Sequence, residues 1–513
     1  MTSTESAHLS PDASGSRTTD ATSTVEPDVL VVGAGLAGIG MAVALLREGR
    51  HNFVVLEKAD RIGGTWRENT YPGCACDVAS VMYSYSFAPN PNWTQMYAEQ
   101  PEILDYIDAV AREYSLDAFI EFGSEVVSYE FDEQTDRWRV ETRAGKVYRP
   151  RIVVAAHGAL HNPLKPSFDG EADFGGAIFH SAQWNHEVSL EGKRVAVVGT
   201  GSSAAQFIPR IAEQAGHVDV FQRTAHWVLP KADRKLGATE RWLFARVPLL
   251  HSVYRNIAYW THEVPVLAFM NPRLVRLLRF AARRHLAKQV PDRELRTRLT
   301  PDYEIGCKRI LLSNDYYPAL CRDNVELVAR GVADLTSTGV VTDDGAEYAA
   351  DVVILGTGFS TDNRCADEHI VGRDGTSIQQ AWRDGMEAYL GLAVTEFPNL
   401  FMIMGPNSGG GAQSILFVIE TQIGYITRCL DLMDAQGATR MEVRGETQRE
   451  FNAWLHRRLA RSVWNSGGCN SWFLDESGHN RQSWPGTGTG YWRRLRKPDP
   501  AAFVFSAGSV TGR

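Results

Sequence analysis

The chain has 513 residues, 44% of them apolar and 22% charged, and a formal net charge of −8. That length suggests two or three domains rather than one core, and the composition is that of an ordinary globular protein. An acidic balance gives no overall field that would favour nucleic acid or an anionic membrane surface.

Residues 1–26 are rich in Ser, Thr, Ala and Asp and lack the apolar stretch of a signal peptide, so they read as a disordered arm. The run "PDVLVVGAG" then predicts a buried strand, and "LAGIGMAVALLREG" a helix closed by Gly49. Gly33, Gly35 and Gly38 fall at the strand-to-helix turn: the first allows a tight turn, the second lets backbone approach a pyrophosphate, and the third permits close helix packing. The next strand, "FVVLEK", carries Glu57 twenty-four positions after Gly33, where a carboxylate can take the adenosine ribose hydroxyls. Strand, turn, helix, strand and acid together predict a dinucleotide site.

Further on, "WRVETRAGKVYRPRIVVAAHG" reads as a hairpin feeding a strand that ends in a glycine turn. The unit then repeats. "KRVAVVGTGSSAAQFIPRIAE" gives a strand, a turn at Gly199 and Gly201 and a helix, with Ala204 in place of a third glycine. Its second strand, "VDVFQRT", carries Arg223, again twenty-four positions after the first glycine of the turn. A carboxylate would repel a 2'-phosphate, whereas a guanidinium binds it through a forked, charge-assisted pair. The first site is therefore expected to hold FAD and the second NADPH, so that one resident carrier is reduced by a visiting nicotinamide.

Residues 235–300 contain "WLFARVPLLHSVYRNIAYW" and "NPRLVRLLRFAARRHLAKQ", helical in period and broken by prolines. The basic face of the second leaves two readings, a membrane surface and a solvated face on an inserted helical subdomain, and the solvated face is the one expected. Later, "AEYAADVVILGTGF" predicts another hairpin and strand. The expected fold is α/β, with two Rossmann-like dinucleotide-binding domains. An FAD domain at 27–157 and 345–513 is interrupted by an NADPH domain at 158–344, which includes the helical insertion. The longest uncharged run, 397–419, is broken by Pro398, Pro406 and glycines 409–411 and cannot span a membrane. Seven cysteines make no disulfide framework in a chain of this length, and their odd number fits a reducing, cytoplasmic setting. Cys74 and Cys76 are too close together for the usual zinc or redox pairs and read as small buried residues, so no metal site is expected.

The stretch "FGGAIFHSAQWN" fits F-x-G-x-x-x-H-x-x-x-W through Phe174, Gly176, His180 and Trp184, and resembles the fingerprint of the Baeyer–Villiger flavin monooxygenases. The resemblance extends through "RIGGTWRENTYPGCACDVASVMYSYSF", "QRT", "GCKR", "TGF" and "FPNLFMIMGP", from about residue 27 to about 495. Asn185 and Gly356 depart from the residues usual in that family. The resemblance implies that NADPH reduces FAD, that O2 adds to reduced flavin as a C4a-peroxyflavin, and that this species inserts one oxygen beside a ketone carbonyl to give an ester or lactone. It implies that Arg309 is the active-site arginine, with Asp77 as its carboxylate partner. It also implies that Lys308 helps Arg223 with the 2'-phosphate and that Trp66 and Tyr83 lie near the flavin. Lys58, Gly64, Thr65, Ser202, Ser203, Gln206 and Thr224, beside the two turns and their strands, complete the expected cofactor-binding set. His180 is expected to act as a hinge residue rather than to react. "GGTW" argues against a pyridine-nucleotide disulfide reductase, because Trp66 stands where that class places a redox cysteine. Oxidation of sulfur or nitrogen by the same flavin chemistry is the competing activity, and a non-catalytic flavin sensor is the competing class. "GPNSGGGAQSILFVIE" and the tail "VWNSGGCNSWFLDESGHNRQSWPG" are expected to line a pocket or lid. Neither the ketone nor the oligomeric state can be read from the residues.

Overall fold

Val29–Val32, Phe53–Leu56 and Ile152–Ala155 are short apolar runs in which every residue is buried, as expected of parallel strands covered on both faces. In the computed structural model they form the centre of a five-stranded parallel sheet, in the order Leu400–Met402, Ile152–Ala155, Val29–Val32, Phe53–Leu56, Ile120–Glu121. The structure describes residues 24–158, 160–360, 368–409, 414–475 and 477–506. Most of the expected arm, residues 410–413 of the glycine-rich loop and residue 476 of the tail lie outside that set. Two helices, Leu36–Arg47 and Ile415–Ala435, pack against each other beside the sheet.

A second five-stranded parallel sheet repeats the plan, in the order Val325–Val328, His217–Phe221, Arg194–Val198, Val352–Leu355, Ala177–His180. The first sheet draws strands from both sides of this block, so the second unit is inserted into the first. Val352–Leu355 was expected to open the returning half of the first domain at residue 345. It is instead hydrogen-bonded between Arg194–Val198 and Ala177–His180, and the second sheet runs on to Leu355. The reason lies in the internal repeat: each antiparallel hairpin feeds a strand of its own unit, Arg137–Thr142 and Val147–Tyr148 leading into the first sheet and Gly339–Thr342 and Glu347–Ala349 into the second.

The helical insertion comprises Ala238–Arg246, Pro248–Phe269, Pro272–Gln289 and Arg293–Arg298. Pro248 and Pro272 sit at helix starts, where a missing N–H costs nothing. Arg276, Arg283, Arg284 and Lys288 of the Pro272–Gln289 helix are exposed, as the sequence suggests, and several large apolar side chains are exposed among them. No helix among the described residues is long and apolar enough to cross a membrane. One apolar core runs continuously through both sheets and the insertion.

Candidate active site

The first glycine turn is set by steric necessity. A Cβ on Gly38 would lie 1.8 Å from the Gly33 carbonyl oxygen, so only glycine lets the Leu36–Arg47 helix start this close to its strand. No side chain caps that helix, and its first N–H groups are left for an anion. Gly64 faces Gly35, a Cβ on Gly35 coming 3.6 Å from the Gly64 Cα. Thr65 opens the short helix Thr65–Glu68 directly after it. This is a backbone cradle of the kind a pyrophosphate needs.

Glu57 is 4% exposed and held by three donors. Its carboxylate accepts from the Ala34 N–H at 2.8 Å, the Ala59 N–H at 3.0 Å and Arg67 Nη1 at 3.1 Å. Arg67 was not anticipated. Its guanidinium also donates to the Arg61 carbonyl at 2.6 Å and to Glu68 at 2.7 Å, so it fixes the acid against the turn. The signal available in the sequence was an arginine in a short segment that otherwise folds into the core. Lys58, next in the chain, is exposed.

The second turn has the same backbone and a different mouth. Gly199 has φ +105°, and a Cβ there would meet the Gly356 carbonyl oxygen at 2.5 Å. The Ser202–Ile211 helix again has no side-chain cap, and nothing lies within 4 Å of where a Gly201 Cβ would be. Ser202 is exposed and Ser203 half-buried. Gln206 does not face this opening: it accepts from the Tyr71 hydroxyl at 2.9 Å and donates to the Ala75 carbonyl at 3.0 Å, tying the second unit to the first. The Thr224 carbonyl accepts from the Thr200 hydroxyl at 3.5 Å.

Arg223 is exposed, and among the described residues neither it nor Lys308 is in an ion pair. The Lys308 ammonium lies over the Tyr303 ring, 5.3 Å from its centroid. Burial, and next the charge of Arg223, pull its pKa below the ordinary lysine value. Two neighbouring cations, neither held in an ion pair among the described residues, suit a dianion such as a 2'-phosphate.

Arg309, one residue on, donates from Nη2 to Asp77 Oδ2. The two side chains are 42% and 31% exposed, so the pair faces an open space rather than the core. Burial alone would raise the Asp77 carboxyl, but the Arg309 guanidinium beside it holds it below the usual carboxylate range. Arg309 is correspondingly raised, chiefly by the charge of Asp77. Trp66 and Tyr83 are buried nearby: the indole N–H donates to the Tyr83 hydroxyl at 3.0 Å, and the rings meet edge to face at 5.5 Å. Burial pushes the Tyr83 phenol well above its ordinary pKa, so it stays neutral.

The fingerprint residues pack within the second unit, Trp184 against the helix that follows its glycine turn. His180 ends the Ala177–His180 strand, fully buried, its Nδ1 accepting from the Ala182 N–H at 3.1 Å and its ring meeting Phe359 at 5.8 Å. Burial lowers its pKa to about 4. Trp184 packs between Phe179 and Phe207. Phe174 is buried, and a Cβ on Gly176 would strike the Asp351 carbonyl oxygen at 2.2 Å. Asn185 closes a local turn by accepting from the Glu187 N–H at 3.0 Å. At Gly356 an added Cβ would sit 3.3 Å from Ala204 Cβ, so the residue that departs from the family's usual one and the alanine that replaces the third glycine are neighbours in space.

Cys74 and Cys76 are buried and free, and burial pushes the Cys74 thiol up to about 12. Cys307 corrects the expectation of unpaired cysteines: it is bonded to Cys469, joining the loop of Lys308 and Arg309 to the tail. The pairing, across 162 residues, removes the cysteine argument for a reducing compartment. The tail is in turn zipped to the 405–409 loop, through Asn407 Nδ2 to the Asn480 carbonyl at 2.8 Å and the Trp484 N–H to the Gly409 carbonyl at 2.7 Å.

Residues 27–379 match the family model of flavin-binding monooxygenase-like proteins. The chain is 43% identical to a Baeyer–Villiger monooxygenase of Pseudomonas aeruginosa, covering 93% of this chain and 90% of that one. It is 42% identical to a Baeyer–Villiger monooxygenase of Streptomyces coelicolor, with 93% and 92% covered. Its fold is similar to that of an oxidized steroid monooxygenase bound to NADP, with TM-score 0.84, 32% identity and 94% and 100% of the two chains covered. It is also similar to cyclohexanone monooxygenase from Rhodococcus sp. Phi1 bound to NADP+, with TM-score 0.85, 27% identity and the same coverage.

Proposed function

The chain belongs to the flavin-binding monooxygenase-like family, in its Baeyer–Villiger branch, and from that premise we propose that Arg309 and Asp77 form the centre at which a ketone is converted to an ester or lactone. The first glycine turn, with Gly33, Gly35, Gly38, Gly64 and Glu57, is assigned to FAD. The second, with Gly199, Gly201, Arg223 and Lys308, is assigned to NADPH. Bound flavin, reduced by the nicotinamide, supplies the oxygen-activating chemistry; everything else falls to side chains.

The observation that carries this reading is the Arg309–Asp77 pair, charged on both sides, partly exposed and close to Tyr83. Negative charge gathers on oxygen as a ketone is attacked, and a guanidinium that cannot lose its proton is suited to hold it. Asp77 aims that guanidinium and keeps the pair neutral overall. Trp66 and the neutral Tyr83 give the space an apolar wall that limits water. His180 and Trp184, packed within the second unit, are assigned a hinge role that acts on movement rather than on the chemistry. NADPH as the reductant is what supports a cytoplasmic site of action.

The test is to separate reduction from oxygenation. In Arg309→Ala, stopped-flow reduction by NADPH without oxygen is expected within about twofold of the parent, while ester formation falls by roughly 10²- to 10³-fold. Ester formation at the parent rate would remove Arg309 from the reaction.

A further inference from the structure

The Pro248–Phe269 helix has two unlike faces. Its inner face belongs to the body of the protein: Arg255 donates to the Val81 carbonyl at 3.3 Å, Tyr259 bonds Thr489 at 2.8 Å, and Glu263 accepts from the Gly488 N–H at 2.9 Å. On its outer face Leu249, Val253, Ile257, Trp260, Val264 and Leu267 follow one another at intervals of three or four residues, all exposed. They form one apolar stripe. Leu249 is 74% and Trp260 57% exposed, and the centre of the stripe lines an open depression of about 470 Å³.

The Pro272–Gln289 helix packs alongside and continues this surface with Leu277 and Phe280, each 69% exposed. Among them stand Arg276, Arg283, Arg284 and Lys288, also exposed, and none of the four is in an ion pair among the described residues. Residues 238–289 hold nine Lys or Arg against two Glu, in a chain of net charge −8. The rest of the protein is therefore acidic, and this segment carries an excess of positive charge, with Arg276, Arg283, Arg284 and Lys288 exposed.

Large apolar side chains interleaved with unpaired cations describe an interfacial surface rather than a solvated one. We propose that this two-helix face docks the enzyme on an anionic lipid surface, the stripe entering the headgroup boundary and the arginines pairing with lipid phosphates. A second copy of this chain is the weaker occupant, because a two-fold interface would set the basic face against itself. Residues 1–23 do not supply the cover either: their only large apolar residues are Met1 and Leu9. The inner face of the same helix packs on the Ser80–Met82 turn, next to Tyr83. Docking thus brings the bilayer to the side of the protein where Trp66 and Tyr83 lie.

The test uses full-length holoenzyme and sedimentation with phosphatidylcholine vesicles, with or without 30% phosphatidylglycerol. Expected is binding that requires the anionic lipid and weakens in high salt. A basic residue at such a surface contributes about a fivefold factor, so Arg283→Glu with Arg284→Glu is expected to lower affinity by about 25-fold or more. Ile257→Asp with Trp260→Asp is expected to abolish binding while NADPH oxidation and the melting temperature stay at parental values. Equal sedimentation with neutral and anionic vesicles, or none with either, overturns the proposal. A concentration-dependent dimer in sedimentation velocity that the aspartate variant disperses would instead assign the face to a second copy.

Discussion

The two glycine turns share a backbone and differ at the mouth. At the first, Glu57 is buried, receives three protein donors and is pinned by Arg67. At the second, Arg223 is exposed and unpaired among the described residues, with Lys308 close enough for their charges to interact. A strand–turn–helix fixes where a pyrophosphate sits in both cases. On the assignment proposed above, the acid at the FAD turn is built into the protein, whereas the base at the NADPH turn stands in solvent.

The strongest way to break that contrast is to loosen the first mouth. Arg67 and Glu57 are a buried pair, with side chains 8% and 5% exposed, and removing one partner leaves an uncompensated charge. Arg67→Ala is expected to destabilise the protein by about 3 kcal/mol and to release FAD on gel filtration, measured by the ratio of flavin to protein absorbance. Retention of flavin with an unchanged melting temperature would show that Arg67 does not secure the first turn. A smaller effect is expected at the second mouth, where the side chain is solvated. Arg223→Ala is expected to raise the Michaelis constant for NADPH about tenfold and to leave that for NADH within about twofold; an equal rise for both would mean that Arg223 does not read the phosphate.

A pH-dependent effect bears on His180 in the second unit. Folded His180 stays neutral down to about pH 4, whereas an unfolded histidine takes its proton near 6.5. Between those values the unfolded chain binds more protons, so stability falls as the pH drops from about 6.5 towards 4, by at most about 1.4 kcal/mol per pH unit for this group. His226, also lowered to about 4 by burial, adds in the same direction. Urea midpoints at several pH values are expected to fall less steeply for His180→Phe than for the parent. Parallel slopes would show that His180 is not kept neutral.

Both turns were legible because glycine spacing and apolar runs are local signals, and Arg223 was legible because its position relative to Gly199 repeats that of Glu57. The pairing of Arg309 with Asp77, 232 residues apart, came from resemblance, since nothing local joins them. Arg67 was missed because its role appears only when the Thr65–Glu68 helix folds beneath Glu57. Cys307 and Cys469 were missed because cysteine counting cannot see two thiols brought together by the fold. The strand Val352–Leu355 was assigned to the wrong sheet although the hairpin before it was the correct clue: an apolar strand carries no mark of which sheet it joins until its partners are known. On the 248–269 helix the period was visible, but apolar residues lie on more than one side, and only packing decides which side faces out.

The most direct test of the central claim is mass spectrometry of products formed by holoenzyme with NADPH, 18O2 and a mixed panel of ketones and sulfides. An ester or lactone carrying one labelled oxygen is expected, and it is expected to vanish in Arg309→Ala. Label found only in sulfoxides would contradict oxygen insertion beside a carbonyl and move the activity to heteroatom oxidation.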